Sequence, residues 1–346
     1  MTVREEKRGI LLLNDNESTD AMTAPASNSH SCSEFAIHHE LPFLCEMRTK
    51  NKALFVMSIG AMDKKVDKTN HKTSALKLFA HDHMQNNVQH LDPFASAPRA
   101  GILGRMASML SESIGLSGNN YQVGSTSIET SSTALRVASS NAPSASIVGK
   151  NGVKKFDPHP WNVRSSWRDV DLLPTTKEIN NSTSAGSSLY AKLWSSTFLK
   201  VLDGNKFLES VMPQAGMTQS FGGDGMSQKL LQVAKLIQVA GTRGADRDLF
   251  FAEFRAWDHH SSMKERIALK FKELNGALEA FWSEMKLQNN EDKVVAIATS
   301  DFGRTLTKNS NRGSKLNAMN SILHPFLQTS CVDVSIIFIN REVIAS

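Results

Sequence analysis

FFAEFRAWDHHSSMKERI, residues 250–267, begins as an apolar run, halts at Trp257, Asp258, His259 and His260, and turns at once into a helical pattern. The run predicts a strand over residues 249–254. Ser262 with Glu265 three residues on fits a capping box, so a helix is expected to start there with reciprocal side-chain caps. Phe271, Leu274, Leu278, Phe281 and Met285 then recur on one face, with Lys and Glu opposite. KVVAIAT (293–299) follows as a continuous apolar run, the pattern of a strand buried on both faces. Upstream, MSQKLLQVAKLIQVAG (226–241) places Leu230, Val233, Ala234 and Ile237 on one helical face, with Gly241 as its stop. Helix, strand, helix, strand in alternation implies an α/β fold, a mainly parallel sheet covered by helices.

Outside this core, Gly9 to Leu13 reads as a short strand breaking into the polar turn NDNESTDAMTAP (14–25), and ELPFLCEMRTKNKALFVMSIG (40–60) as a helix followed by a strand at about 53–59. From about 111 to 186 the chain is rich in Ser, Thr, Asn and Gly, with β-like pieces NNYQVGST (119–126) and ASIVG (145–149). This predicts an irregular insertion lying over the sheet. GGDG (222–225) follows no strand and lacks a Lys-Ser/Thr ending, so it is a turn and not a phosphate loop.

With 346 residues, 40% hydrophobic and 21% charged, the composition is that of a globular chain with a sizeable core. The formal charge of +5 comes from scattered Lys and Arg, which leaves no nucleic-acid footprint. Cys32, Cys45 and Cys331 have neither metal-type spacing nor an even count, and are expected to be unpaired thiols. No apolar stretch reaches the ~18 residues of a membrane span. MTVREEKRGILLL lacks a signal-peptide pattern, so the chain as written is expected to remain where it is made.

Asp258, His259 and His260 follow one strand, and TSDFGRT (299–305) sets Asp301 and Arg304 just beyond the next. Ligands of open parallel sheets bind in the crevice outside the carboxyl ends of the strands. Were the two strands neighbours, roughly 5 Å apart, Asp258, His260 and Asp301 would be able to share one cation. Carboxylate with imidazole suits zinc, manganese or iron better than calcium, and Arg304 would clamp a phosphate or sulfate. LFAHDHMQNNVQH (78–90) is a second polar knot, read as a helix start with Asp82 facing the helix dipole. The turn after the first strand offers Ser18 or Thr19 as a hydroxyl nucleophile if a metal lowers its pKa.

Several of these segments, taken in order, resemble the domain-of-unknown-function family fifteen-oh-one, whose members look like distant relatives of alkaline phosphatases and sulfatases. They are SEFAIHHELPFLCEM with KALFVMSIG, LFAHDHMQNNVQHLDPF with GILGRMASML, LLQVAKLI with RGADRDLFFAEFRAWDHH, and VVAIATSDFGRTLTKNSNRGS. The resemblance implies an alkaline-phosphatase-like α/β sandwich over residues 1–314, binding a divalent metal at the strand ends and acting on a phosphate or sulfate ester. It carries over Asp258, His260 and Asp301 as metal residues, Arg304 as the anion clamp, and His81 and Gln85 as pocket residues beside His259 and Ser18. Members of that family are usually exported.

The departures point the other way. Where the family reads Leu-Asn-Gly-Gly-x-Asp-Ser, this chain has LNDNEST (13–19): Asp15 and Asn16 replace the glycines, Ser18 the carboxylate, and Thr19 the serine. Arg255 and Ala256 replace the Gly-Gly ahead of Trp257, and Lys315 and Leu316 replace an Asp-His pair after Gly313 and Ser314. A lysine in place of an anionic ligand opposes cation binding. Three readings follow: an impaired metal-dependent hydrolase-like protein, a non-catalytic relative binding a small anionic ester or glycan, or the product of a misread exon boundary or pseudogene. Residues 315–346 are expected to form a divergent tail that packs poorly on the sheet.

Overall fold

The structure is a computed structural model that describes residues 22–23, 34–35, 37–55, 73, 81–90, 100–111, 121–130, 132–137, 146–153, 173–181, 188–257, 259–300, 304–308, 314–316 and 334–341. In chain order these hold β1 (Met22–Thr23), β2 (Glu34–Phe35), α1 (Pro42–Thr49), α2 (His81–His90), α3 (Ile102–Ser111), β3 (Val123–Ile128), β4 (Ser146–Val148), α4 (Leu173–Asn181), α5 (Leu189–Val211), α6 (Gly225–Gln238), α7 (Ala240–Arg243), β5 (Arg247–Phe254), α8 (Met263–Leu287), β6 (Val294–Ser300), β7 (Arg304–Lys308), β8 (Ser314–Leu316) and β9 (Val334–Arg341). The proposed strand at 9–13 lies outside the described residues, as does most of the one at 53–59.

A five-stranded sheet in the order β4-β3-β5-β9-β6 forms the centre. β4, β3 and β5 are mutually parallel; β9 runs antiparallel to both β5 and β6, so β6 points the same way as β5. The fold is thus mixed α/β, with a small, mostly parallel sheet flanked by helices. β5 is buried from Asp248 to Phe254, and its apolar residues are packed on both sides. Phe250, Ala252 and Phe254 pack with Leu230, Val233, Ala234 and Ile237 of α6 and Leu274, Leu278, Phe281 and Met285 of α8. Leu249 and Phe251 face the other way, onto Leu103 and Ala107 of α3 and Ala134 and Leu135 of the 3-10 turn after β3. Full burial of each such Leu or Phe is worth about 1.5–3 kcal/mol, and this sheet order is what lets one strand collect it on both faces.

Four local expectations are corrected. The chain does not stop at Gly241: α7 follows and ends at Gly244, whose φ of +66° is left-handed, the conformation glycine adopts without strain. NNYQVGST and ASIVG contain β3 and β4, which belong to the sheet itself, β3 pairing along six residues of β5. The sequence conceals them because Ser125, Thr126 and Ser127 are buried polar residues in a strand that lacks an apolar period. β6 is not covered on both faces, since Val295 and Ile297 are 54% and 43% exposed. Its apolar run resembles an interior strand, but among the described residues it has a strand on one side only. Beyond Ser314, finally, Val334–Arg341 is not a loose tail: it pairs with eight residues of β5 and seven of β6.

Candidate functional site

β9 begins at Val334, opposite both Phe254, the last residue of β5, and Ser300, the last of β6. The two segments that carry the expected chemistry therefore leave the same rim of the sheet. They are not on neighbouring strands. With β9 between them, β5 and β6 lie two strand spacings apart, roughly 10 Å, twice the separation on which a shared cation was argued.

The chain leaves β5 through Arg255 and Ala256, the latter at φ +69°. An alanine there carries the strain of a left-handed backbone, on the order of 1–2 kcal/mol, that glycine avoids. Next, Trp257 turns inward and is 1% exposed, its ring edge-on to Phe254 at 5.2 Å and tilted against Phe271 at 5.3 Å. Among the described residues its indole Nε1 has no hydrogen-bond partner. His259 is also buried, at 7% exposure, and its Nε2 likewise has no partner among the described residues. Burial first, then the positive charges of Arg266 and Lys270, lower the His259 pKa and favour the neutral imidazole. His260 is exposed. Of the paired imidazoles it is thus His259, not the anticipated His260, that the fold holds against its body. Entry into α8 also differs from the capping box: Ser262 sits at φ +45° and its side chain makes no cap. The turn after His260 brings the chain in at an angle that the extended N-cap conformation would not give.

A polar cluster that the sequence reading missed occupies the same rim. Glu129, directly after β3, has φ +74° and receives Lys229 Nζ on its carboxylate at 2.8 Å. Lys229 is buried on α6 and also donates to the Glu253 carbonyl at 2.7 Å. The Glu253 carboxylate accepts from Arg255 Nε at 2.7 Å. The available signal was a lysine one residue ahead of Leu230 and four ahead of Val233, on the apolar side of its helix.

Asp82 lies in the first turn of α2, where the dipole favours an anion. This helix docks beside the segment leaving β3, with Gln89 Oε1 accepting from Thr133 Oγ1 at 2.5 Å and from the Ala134 amide at 3.2 Å. It carries His81 and the half-buried Gln85. Ser18, Thr19, Asp258 and Asp301 lie outside the described residues. Arg304 opens β7, where its Cα partner is Leu316 of β8. Among the described residues no three His, Cys, Asp or Glu side chains gather as a metal-holding group. GGDG is the turn expected: Asp224 caps α6 through the Ser227 amide at 2.8 Å, placing a carboxylate where a phosphate would otherwise sit. An open groove of about 500 Å³ beside it, lined by Ser220, Lys272, Glu273 and Glu279, contains none of the expected site residues.

The loop after β5, the segment after β6 and Lys315 all fall within one stretch of resemblance. Residues 176–315 match the family described as Protein of unknown function (DUF1501). The DUF1501 match takes in α5 to β7 and most of β8, but not β3, β4 or β9. No curated protein and no solved structure matches the chain.

Proposed function

We propose that this chain is a DUF1501 relative on an alkaline-phosphatase-like scaffold, whose strand-end crevice binds a small anionic ester with little or no turnover. His259 carries the reading: a buried imidazole, lowered in pKa, with a bare Nε2, held where parallel strands end. A buried polar atom without a partner is costly by about 1–3 kcal/mol, and a bound ligand relieves that cost. Trp257 Nε1, buried and bare in the same loop, adds a donor. Arg304, four residues beyond β6, supplies the cation for the anionic group.

A divalent metal fits this rim only in part. The His259 nitrogen is a competent donor, but the strands that lead to Asp258 and Asp301 are separated by β9, and Lys315 replaces an aspartate of the family pattern. No catalytic step is therefore routed through a metal. A metal-dependent phosphatase or sulfatase remains the second reading, favoured by that same bare nitrogen.

The test titrates the full chain with inorganic phosphate and sulfate, then with Zn²⁺ and Mn²⁺, following tryptophan fluorescence and heat. Saturable anion binding is expected, weakened about tenfold or more in Arg304→Ala as a charge-assisted contact is lost. Hydrolysis of p-nitrophenyl phosphate and sulfate is expected to stay at background. Stoichiometric metal uptake with ester turnover would instead establish the hydrolase, and absence of anion binding would remove the proposal.

A further inference from the structure

Glu129, Lys150 and Lys229 meet where the strand order of the sheet reverses. β3 is followed by β4 on one side of it and β5 by β6 on the other, so β3 and β5 flank the point at which the connections diverge. In open sheets the crevice outside the carboxyl ends at such a point is where ligands bind. Glu129 leaves β3 there, Lys150 lies in the turn after β4, and Lys229 reaches in from α6. The Glu129 carboxylate joins the two lysines, one oxygen 2.8 Å from Lys229 Nζ and the other 3.9 Å from Lys150 Nζ.

The two lysines are held independently of the glutamate. Lys229, its side chain only 10% exposed, also donates to the Glu253 carbonyl at 2.7 Å. Gln232, one turn further along α6, donates from Nε2 to the Lys150 carbonyl at 3.1 Å, and the Gly149–Gly152 bridge closes the turn that carries Lys150. α6 thus provides one ammonium and fixes the base of the other. Glu129 is placed differently: its side chain is 34% exposed, and its backbone is left-handed at φ +74°. Glycine would make that turn with less strain, so what the glutamate adds there is its carboxylate. A buried ammonium deprived of its anion is strongly unfavourable. The position therefore demands an oxyanion, and one brought in from solvent meets the demand as well as one on the chain. Glu129 and Lys150 also lie outside the stretch 176–315 that matches the family, so the cluster is not part of that resemblance.

We propose that Lys229 and Lys150 form an oxyanion site, that Glu129 is its internal occupant, and that the carboxylate or phosphate group of a small molecule takes the glutamate's place as its side chain swings out to solvent. The exchange makes and breaks ion pairs only. It uses neither His259 nor Arg304, so it does not depend on the anion binding proposed above. An intramolecular competitor that fills a site about nine-tenths of the time raises the apparent dissociation constant about tenfold.

Calorimetric titration of the full chain with sodium acetate and with inorganic phosphate, at constant ionic strength, tests this in an Arg304→Ala background that silences the other contact. Weak saturable binding is expected there, tightened about tenfold in Glu129→Gly/Arg304→Ala and reduced about tenfold from that level when Lys150→Ala is added. The tighter of the two anions identifies the group. Melting temperature supplies a second readout: the same anions, but not chloride, should raise it more in Glu129→Gly than in the wild type. If the glycine variant does not fold, Glu129→Gln, which keeps the side-chain length and loses the charge, takes its place in both measurements. Saturable binding to the Glu129 variant with none to the protein that retains Glu129 would overturn the proposal, because the glutamate would then be a permanent structural partner of Lys229. Equal affinity with and without Glu129 would overturn it too, as would binding that survives Lys150→Ala.

Discussion

Glu284 and Asn275 lie beside the apolar stripe of α8, and both are buried, Glu284 at 1% exposure. Neither breaks the pattern that made the helix legible, because each acts on a backbone far away in sequence. Glu284 accepts from the amides of Thr218 and Gln219 at 3.1 and 2.7 Å, tying down the loop ahead of α6. Such partners are invisible to a periodicity argument, which sees only that a polar residue sits close to the stripe. His90 gives the residue-scale prediction. It ends α2, where a helix C-terminus ordinarily favours an imidazolium. Here burial, followed by Arg136 and Arg105, lowers its pKa below 6.5. The folded state then binds fewer protons than the unfolded one, so stability is complete above about pH 6.5 and is lost as pH falls from there through the lowered pKa. Chemical denaturation of wild type and His90→Gln between pH 7.5 and 5 should show a shallower acid loss in the variant. Parallel curves would mean that His90 does not titrate differently on folding.

Elements declared themselves in the sequence where one physical rule governed them. α6, α8 and β5 each have a single repeating apolar signal, and the residues named from it, Leu230, Val233, Phe281 and Met285, are 0% exposed. Element ends were less legible, because caps are supplied from elsewhere. The N-cap position of α1, Leu41, has no capping side chain, and the Phe43 amide is instead taken by Asn275 Oδ1 of α8 at 2.9 Å. One long-range hydrogen bond thus fixes where α1 begins and how it sits on α8. Asn275→Ala should leave that amide unpaired and cost about 0.5–2 kcal/mol, the range for loss of an N-cap. Hydrogen exchange should speed selectively in Pro42–Thr49 while the rest of α8 keeps its protection. A uniform loss across α8 would show that Asn275 serves the core rather than the cap. The candidate site followed the same division. The sequence set the two motifs at strand ends and showed the loss of glycine at Ala256; that His259 is buried and His260 exposed could not be read there, because it depends on which way a short loop turns.

At the scale of the whole molecule, the sheet is held together by a strand that the sequence reading discounted. β9 contributes the Cα pairs Phe250↔Phe338 and Ala296↔Phe338 to opposite neighbours, and without it β6 has no link to β5 in the described sheet. VSIIFINR is β-branched and aromatic enough to read as a strand. What discounted it was its place after a segment that departs from the family pattern, an inference from resemblance and not from the residues. The arrangement predicts that β9 opens only with the global unfolding of the sheet. Amides of 334–341 should therefore exchange as slowly as those of 247–254. Ile337→Pro, which removes an amide between two neighbours, should cost about 3 kcal/mol or more and release β6 along with β9. Fast exchange over 334–341 beside a protected β5 would leave β5 and β6 free to become neighbours. That would bring the loops bearing Asp258 and Asp301 within one strand spacing, and the metal-dependent reading would regain the geometry that β9 now denies it.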